Sequence, residues 1–349
     1  MSSCRVLFVG GGLSSALAAS LALQRLPLLE VTVWEKARGA GGRMATSRAQ
    51  NINNSSVDLG AQYISASPKY YAANQEIYRD LLDNKIILPA DTSRIEGMRE
   101  DGREEGETRH FIVPDGMSSL VKYLFRQSGA QVQFGRRVAE INERNSSWTV
   151  RTVCGLEDNF DVVVVTSPVP QILGLEGDIS QIISRDENIK TKLAGVSYSS
   201  RFVLGQFYSG RVDVGAPWTC KYITDHPIIR FIAVDNIKRN KPEDPTSILV
   251  HSTVQFGLEN INKTHEEMKP ILQEALHQLL PSLPPAEEVK SLKWLYSQVH
   301  RPYPGQPGAI ALPAQPNLIL AGDGFTWSNF DGCVQSARAV VELLSQYLE

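Results

Sequence analysis

The first 35 residues constrain what the rest of the chain can become. Residues 5–9 (RVLFV) are a short, apolar, partly β-branched run that reads as a buried strand. Gly10, Gly11 and Gly12 follow at once, and then an alanine- and leucine-rich stretch at 13–26, closed by Pro27, reads as a helix. Residues 31–34 (VTVW) give a second strand. A strand, a glycine turn, a helix and a strand in so short a space open a doubly wound parallel sheet. Gly10 and Gly12 permit the tight turn and a close backbone approach, and the helix behind them offers free amides and partial positive charge to a pyrophosphate. Ser14, in the first helical turn, has an amide and a hydroxyl to offer a phosphate oxygen. Ser15 stands where a third glycine is usual and is small enough to keep the helix close. Glu35 ends the second strand, about 20 residues past the loop, where a carboxylate accepts the hydroxyls of an adenosine ribose. The combination predicts a dinucleotide site, with NAD and FAD as equal candidates.

A second glycine turn follows at residues 38–44 (RGAGGRM), in which Gly41 and Gly42 allow close approach and Arg43 supplies a forked donor to phosphate. Residues 57–64 are strand-like, 70–82 have helical spacing, and 96–109 read as a hairpin or loop. A helix is expected at 117–128 and strands at 131–134, 137–141, 148–153 and 160–166. The last of these (FDVVVVT) is apolar throughout, as a central parallel strand should be, and Pro168 and Pro170 stop it. From there the character changes. Alternating strands at 201–207, 228–235 and 247–254, with one long helix at 264–280, predict an antiparallel sheet in a second domain. Pro302, Pro304 and Pro307 mark the return to a buried strand at 317–321, the turn Gly322-Asp323-Gly324 and a last helix at 332–348. The expected fold is α/β: a doubly wound domain from 1–66, 108–170 and 302–349, with an inserted α+β substrate domain from 67–107 and 171–301.

Composition excludes several classes. A net charge of −3 gives no reason to expect nucleic acid or an anionic membrane as partner. No apolar run approaches the ~18 residues of a membrane span. Cys4, Cys154, Cys220 and Cys333 are far apart and form no metal-binding spacing, so buried or half-buried thiols are expected. Residues 4–10 are too short for a signal-peptide core, and the expected location is cytoplasmic.

The glycine-glycine-arginine turn after Glu35, together with residues 321–324 between a strand and a helix, resembles the flavin-containing amine oxidase superfamily. The resemblance implies noncovalent FAD, a p-hydroxybenzoate-hydroxylase-like fold, and an acidic residue, Asp323, on the ribityl chain. FAD contacts carry over onto Ser14, Arg43, Gln62 and Tyr63, and Val138 is included among them. A narrower likeness to one branch of the superfamily runs through residues 57–64, 197–208, 230–240, 294–299 and 322–333. It implies an oxidase that converts 2-dihydro and 6-dihydro isomers of NAD(P)H to β-NAD(P)+, passing the hydride to flavin N5 and then reducing O2 to hydrogen peroxide. Trp218, Tyr222, His251 and Trp294 are the expected pocket residues, with Asn329 near the flavin. A tryptophan in a β-domain is more often core than cage, and His251, between Val250 and Ser252 in a strand, is the kind of histidine that is more often structural than an acid or base. An amine oxidase is the first alternative. Against it, residues 306–321 lack the cysteine that tethers FAD in monoamine-type enzymes, and Arg201 stands where those enzymes often place a lysine. A secreted, receptor-acting protein without catalysis is the second.

Overall fold

The computed structural model describes residues 3–98 and 107–348, so most of the expected hairpin or loop at 96–109 lies outside the described residues. The chain divides into two compact units. Met1–Gly42, Val121–Tyr198 and Gln298–Glu349 make the first; Arg43–Leu120 and Ser199–Ser297 make the second.

In the first unit, Cys4–Val9 lies between Val162–Val165 and Leu29–Glu35, parallel to both. Leu318–Ala321 continues the parallel sheet on one side and Gln131–Phe134 on the other, and Ala309–Ala311 adds an antiparallel edge. Four consecutive valines serve at 162–165 because both faces of the sheet are covered. On one face Leu7, Val9, Val163 and Val165 meet Ile141, Trp148 and Phe160 of an antiparallel meander (Val138–Arg144, Ser147–Thr152, Glu157–Phe160). Helices Leu13–Arg25 and Phe330–Leu348 pack together and against the sheet strands.

Two expectations change here. The run at 160–166 is not one strand. Phe160 ends the meander, Asp161 turns the chain and accepts a hydrogen bond from the Arg5 amide at 2.7 Å, and the parallel strand begins at Val162. Residues 169–194 are helical (Val169–Ile172, Asp178–Arg185, Glu187–Ala194), and Ile179, Ile183 and Leu193 enter the core of the first unit. The crossing into the second unit therefore comes near Ser199 rather than at 171.

The second unit is built on a sheet ordered Glu288–Trp294, Arg201–Phe207, Ser247–Ser252, Ile229–Val234, Cys220–Tyr222 and Ile95–Glu96, antiparallel except for the last pair. One face packs against helix His265–Leu279, whose start is fixed by a capping box between Thr264 and Glu267. The other face presents Val203, Phe207, Phe231 and Leu249 to Val57 and Leu59. That packing draws residues 43–66 into this unit, not the first. The strand-like stretch at 57–64 is two short strands, Ser56–Asp58 and Ile64–Ala66, with a turn between them, and 70–82 is two helices, Pro68–Ala73 and Gln75–Asp83.

Candidate functional site

In the first unit the neighbouring strands ending at Val9, Val165 and Ala321 turn away together. Gly10 does so at φ +115° and Gly322 at φ +108°, and a Cβ on Gly10 would lie 2.9 Å from Thr166 Oγ1. Ser15 does not merely fill the place of a glycine, since its hydroxyl hydrogen-bonds that of Thr166 at 2.7 Å. Glu35 is buried, and its two oxygens accept from the Gly11 amide at 2.6 Å and the Ala37 amide at 2.7 Å, so the carboxylate ties the loop to the second strand. Helix Leu13–Arg25 starts at Gly12 with no side-chain cap and no acidic residue in its first turn. Its end is therefore open to an anion. The second glycine turn meets the first: Gly41 donates to the Gly11 carbonyl at 2.9 Å, and a Cβ on Gly42 would sit 3.4 Å from the Gly12 Cα. Two backbones lying this close, beside an uncapped helix and a buried carboxylate, fit the pyrophosphate and ribose of a dinucleotide.

Also in this unit, Asp323 is buried and accepts from the Ser328 hydroxyl. Val138 opens the meander opposite Thr152. Asn329 is exposed, and its Oδ1 accepts from the Gly332 amide at 2.6 Å at the start of the last helix, which gives it a capping task.

In the second unit the turn after Ser56–Asp58 gathers most of the remaining candidates. Gly60 presses against the Arg43 carbonyl, which also accepts from the Ala61 amide at 2.9 Å. Gln62 is buried; its Nε2 donates to the carbonyls of Asp58 (2.6 Å) and Gly60 (2.9 Å), and its Oε1 accepts from Lys238 Nζ at 3.0 Å. Lys238 also meets Asp58 Oδ2 at 3.0 Å and Asp235 Oδ1 at 2.6 Å, while Arg239 holds Asp235 Oδ2 at 2.8 Å. Burial pushes the Asp58 carboxyl up against the pull of Lys238. In Asp235 burial acts the same way, but Lys238 and Arg239 outweigh it and hold the carboxyl down. The two carboxylates in turn outweigh burial for Lys238 and raise it. Sequence reasoning missed this cluster. Its one local signal is the spacing of Asp235, Lys238 and Arg239, which meet at i,i+3 and i,i+4 on a single helical turn.

The Leu59 carbonyl is shared. Trp294 Nε1 donates to it at 2.9 Å and His251 Nε2 lies 3.1 Å away, so that nitrogen carries the imidazole proton. Burial pushes the His251 pKa down to about 4, and the ring is neutral at pH 7. The hydroxyls of Tyr63 and Tyr222 hydrogen-bond each other, and burial raises both phenols. Cross-strand pairing sets Arg201 opposite Trp294, His251 opposite both Val203 and Phe231, and Phe231 opposite Tyr222. Gln62, Tyr63, Tyr222, His251 and Trp294 thus share one side of the sheet. Trp218 does not join them. It is 7% exposed and packs with Phe202, Ile229 and Leu272 in the core on the helix side.

Residues 89–345 match the family described as flavin containing amine oxidoreductase, and residues 9–81 match the NAD(P)-binding Rossmann-like domain. The chain belongs to the flavin containing amine oxidoreductase family. Within that family it is 40% identical over 347 residues to renalase of Mus musculus, a match that covers 99% of each chain. Two solved structures share the fold. A protein of Exiguobacterium sp. 255-15 described as a protoporphyrinogen oxidase has a TM-score of 0.73 at 13% identity, over 99% of both chains. The PF1083 protein of Pyrococcus furiosus has a TM-score of 0.62 at 14% identity, over 98% of this chain and 97% of the other. This family member is an FAD-dependent oxidoreductase, and the cradle around Gly10–Gly12 has the chemistry its cofactor needs.

Proposed function

We propose that the enzyme oxidises 2-dihydro and 6-dihydro isomers of NAD(P)H to β-NAD(P)+, with O2 as final acceptor and the second unit as the substrate domain. The observation that carries this reading is that the polar groups on this side of the sheet are already engaged: His251 with the Leu59 carbonyl, Tyr63 with Tyr222, and Lys238 with Asp58, Asp235 and Gln62. His251 is neutral with its N–H already donated, both phenols are raised, and Lys238 is buried among carboxylates. An amine is a cation at neutral pH and must lose a proton before it can give up a hydride, a task for a base poised near neutrality. A dihydropyridine is already neutral at the reacting ring and gains aromaticity by losing hydride, so it needs only to be held in place. The likeness to renalase supports the same choice.

The glycine turns, Ser14, Glu35, Arg43 and Asp323 would hold FAD without a covalent bond, and the cofactor would supply the hydride acceptor and the electrons for dioxygen. Gln62 and Tyr63 would contact the ring end of the cofactor. Trp294 and Tyr222 supply flat, half-buried surfaces for the nicotinamide and exclude water. Through the Leu59 carbonyl, His251 and Trp294 fix the turn that carries Gln62 and Tyr63.

Anaerobic stopped-flow mixing tests the assignment. Rapid bleaching of the flavin band by 6-dihydro-NAD, with none by a catecholamine, is the expected result; bleaching by the amine alone would overturn it. In Trp294→Phe, which keeps a ring and removes the N–H, flavin reduction should slow about tenfold at unchanged FAD content. An unchanged rate would confine that hydrogen bond to the scaffold. Arg43→Ala should purify largely free of flavin, and stoichiometric FAD in that variant would remove Arg43 from phosphate binding.

A further inference from the structure

Two arginines on the Trp294–Tyr222 side of the sheet have no part in the scheme above. Arg201 opens its strand opposite Trp294, and its Nη1 donates to the Ser252 carbonyl at 2.9 Å. Arg230 sits where strand pairing slips. Ile229 faces Ser252 and Phe231 faces His251, which leaves Arg230 as the extra residue of a bulge. Bulges re-aim side chains. Here the guanidinium is turned towards Tyr222, 5.8 Å from its ring centroid, and Nη1 donates to the Ile223 carbonyl at 2.9 Å.

Both side chains are half-buried. Burial first, and then the Arg230 guanidinium, hold Arg201 below the usual arginine range, so the two cations are near enough to oppose each other. Neither meets a carboxylate among the described residues. The ion pair on that edge of the sheet, Lys221 with Glu96 at 2.7 Å, is complete in itself. Each guanidinium carries five N–H donors, and a backbone carbonyl takes only part of that capacity. Half-buried like charges without a counterion are costly to hold together, and an anion that both can fork removes the cost. Guanidinium forks match phosphate oxygens in spacing and in charge.

We propose that Arg201 and Arg230 form a phosphate-binding site, filled during turnover by the pyrophosphate of the dihydronicotinamide dinucleotide. The second half of this statement rests on the function proposed above; the first half does not. The same pair disfavours a cationic amine on this side of the sheet.

The test is calorimetric titration of the FAD-loaded protein with ADP-ribose and, separately, with inorganic pyrophosphate, while flavin absorbance confirms that FAD stays bound. Neither compound carries a hydride, so binding is read without turnover. Wild type should bind both, and Arg230→Gln should weaken both about tenfold or more. Arg230→Lys, which restores the charge without the fork, should recover part of the loss. In parallel, the 6-dihydro-NAD concentration that half-saturates flavin reduction should rise by a similar factor in Arg230→Gln at an unchanged limiting rate. The phosphate-free 6-dihydronicotinamide riboside should not distinguish the two proteins. No binding to wild type, or equal affinity in wild type and Arg230→Gln, would overturn the site. Binding of pyrophosphate without ADP-ribose would keep a site for the free anion and overturn its assignment to the substrate. If no dihydro compound bleaches the flavin, the function fails while the titration still decides the site.

Discussion

Lys238→Met should lower the free energy of unfolding by about 3–5 kcal/mol at pH 7, the usual cost of removing one partner from a buried ion pair. Lys238 and Asp58 expose 3% and 1% of their side chains, and Asp235 exposes none, so solvent cannot replace the missing cation. Arg239 would still neutralise Asp235, leaving Asp58 with two neutral donors, the Thr46 hydroxyl at 2.6 Å and the Met117 amide at 2.8 Å. The deficit should depend on pH in a definite direction. Lys238 is raised, so its contribution is complete below the unfolded lysine value and is lost only as pH rises through the higher folded one. Asp235 is depressed, so its contribution is present above the unfolded aspartate value and is lost as pH falls through the lower folded one. Asp58 is already raised and, without Lys238, binds a proton more readily still. Acid should therefore relieve the variant, and the gap from wild type should be smaller at pH 5 than at pH 7. Urea unfolding at the two pH values measures it; a gap that widens in acid would mean that Asp58 is not the orphaned charge. The same variant removes the donor to Gln62 Oε1, while Nε2 stays fixed by the Asp58 and Gly60 carbonyls.

Gly60→Ala should be as damaging by a different route. The added Cβ would fall 1.8 Å from the Arg43 carbonyl oxygen, and both are backbone positions with no rotamer to yield. Arg43 lies in the turn Gly42–Met44, and its carbonyl also accepts from Ala61, so the clash must displace the whole strand-to-turn crossing. A loss of about 4 kcal/mol or more, poor soluble yield and less flavin per protein are expected. Gly210→Ala is the control, since nothing lies within 4 Å of its Cβ; its stability should stay within about 0.5 kcal/mol of wild type. Equal behaviour of the two variants would mean that the crossing at Gly60 is slack.

What could be read from the sequence was local. Cys4–Val9, Leu13–Arg25 and Leu29–Glu35 follow from signals within one motif, whereas Glu35, expected to accept ribose hydroxyls, accepts from the Gly11 and Ala37 amides. Helix His265–Leu279 was legible for the same reason: Thr264 and Glu267 write its start into four consecutive residues. What was not legible depends on distant partners. Asp58 and Lys238 are 180 positions apart, and nothing near either foretells the pair. Trp218 and Trp294 are the same residue type in the same unit, and only the sheet assigns one to the helix-covered core and the other to the side with Tyr222. Helices Asp178–Arg185 and Glu187–Ala194 are each eight residues long, too short for their periodicity to stand out. Strand Glu288–Trp294 is half-buried along its whole length, so it lacks the clean alternation that marks a strand.

The order of strands in the first unit also sets a timetable. Cys4–Val9 is synthesised well before one of its two partners, Val162–Val165, whose other neighbour, Leu318–Ala321, comes later still. Until that last strand is synthesised the four valines have an open, fully apolar edge, the kind of surface on which nascent chains stick to one another. Closing the sheet joins segments far apart in sequence, so its folding is slow for topological reasons. A ligand that needs the finished glycine cradle can bind only after that hazard has passed.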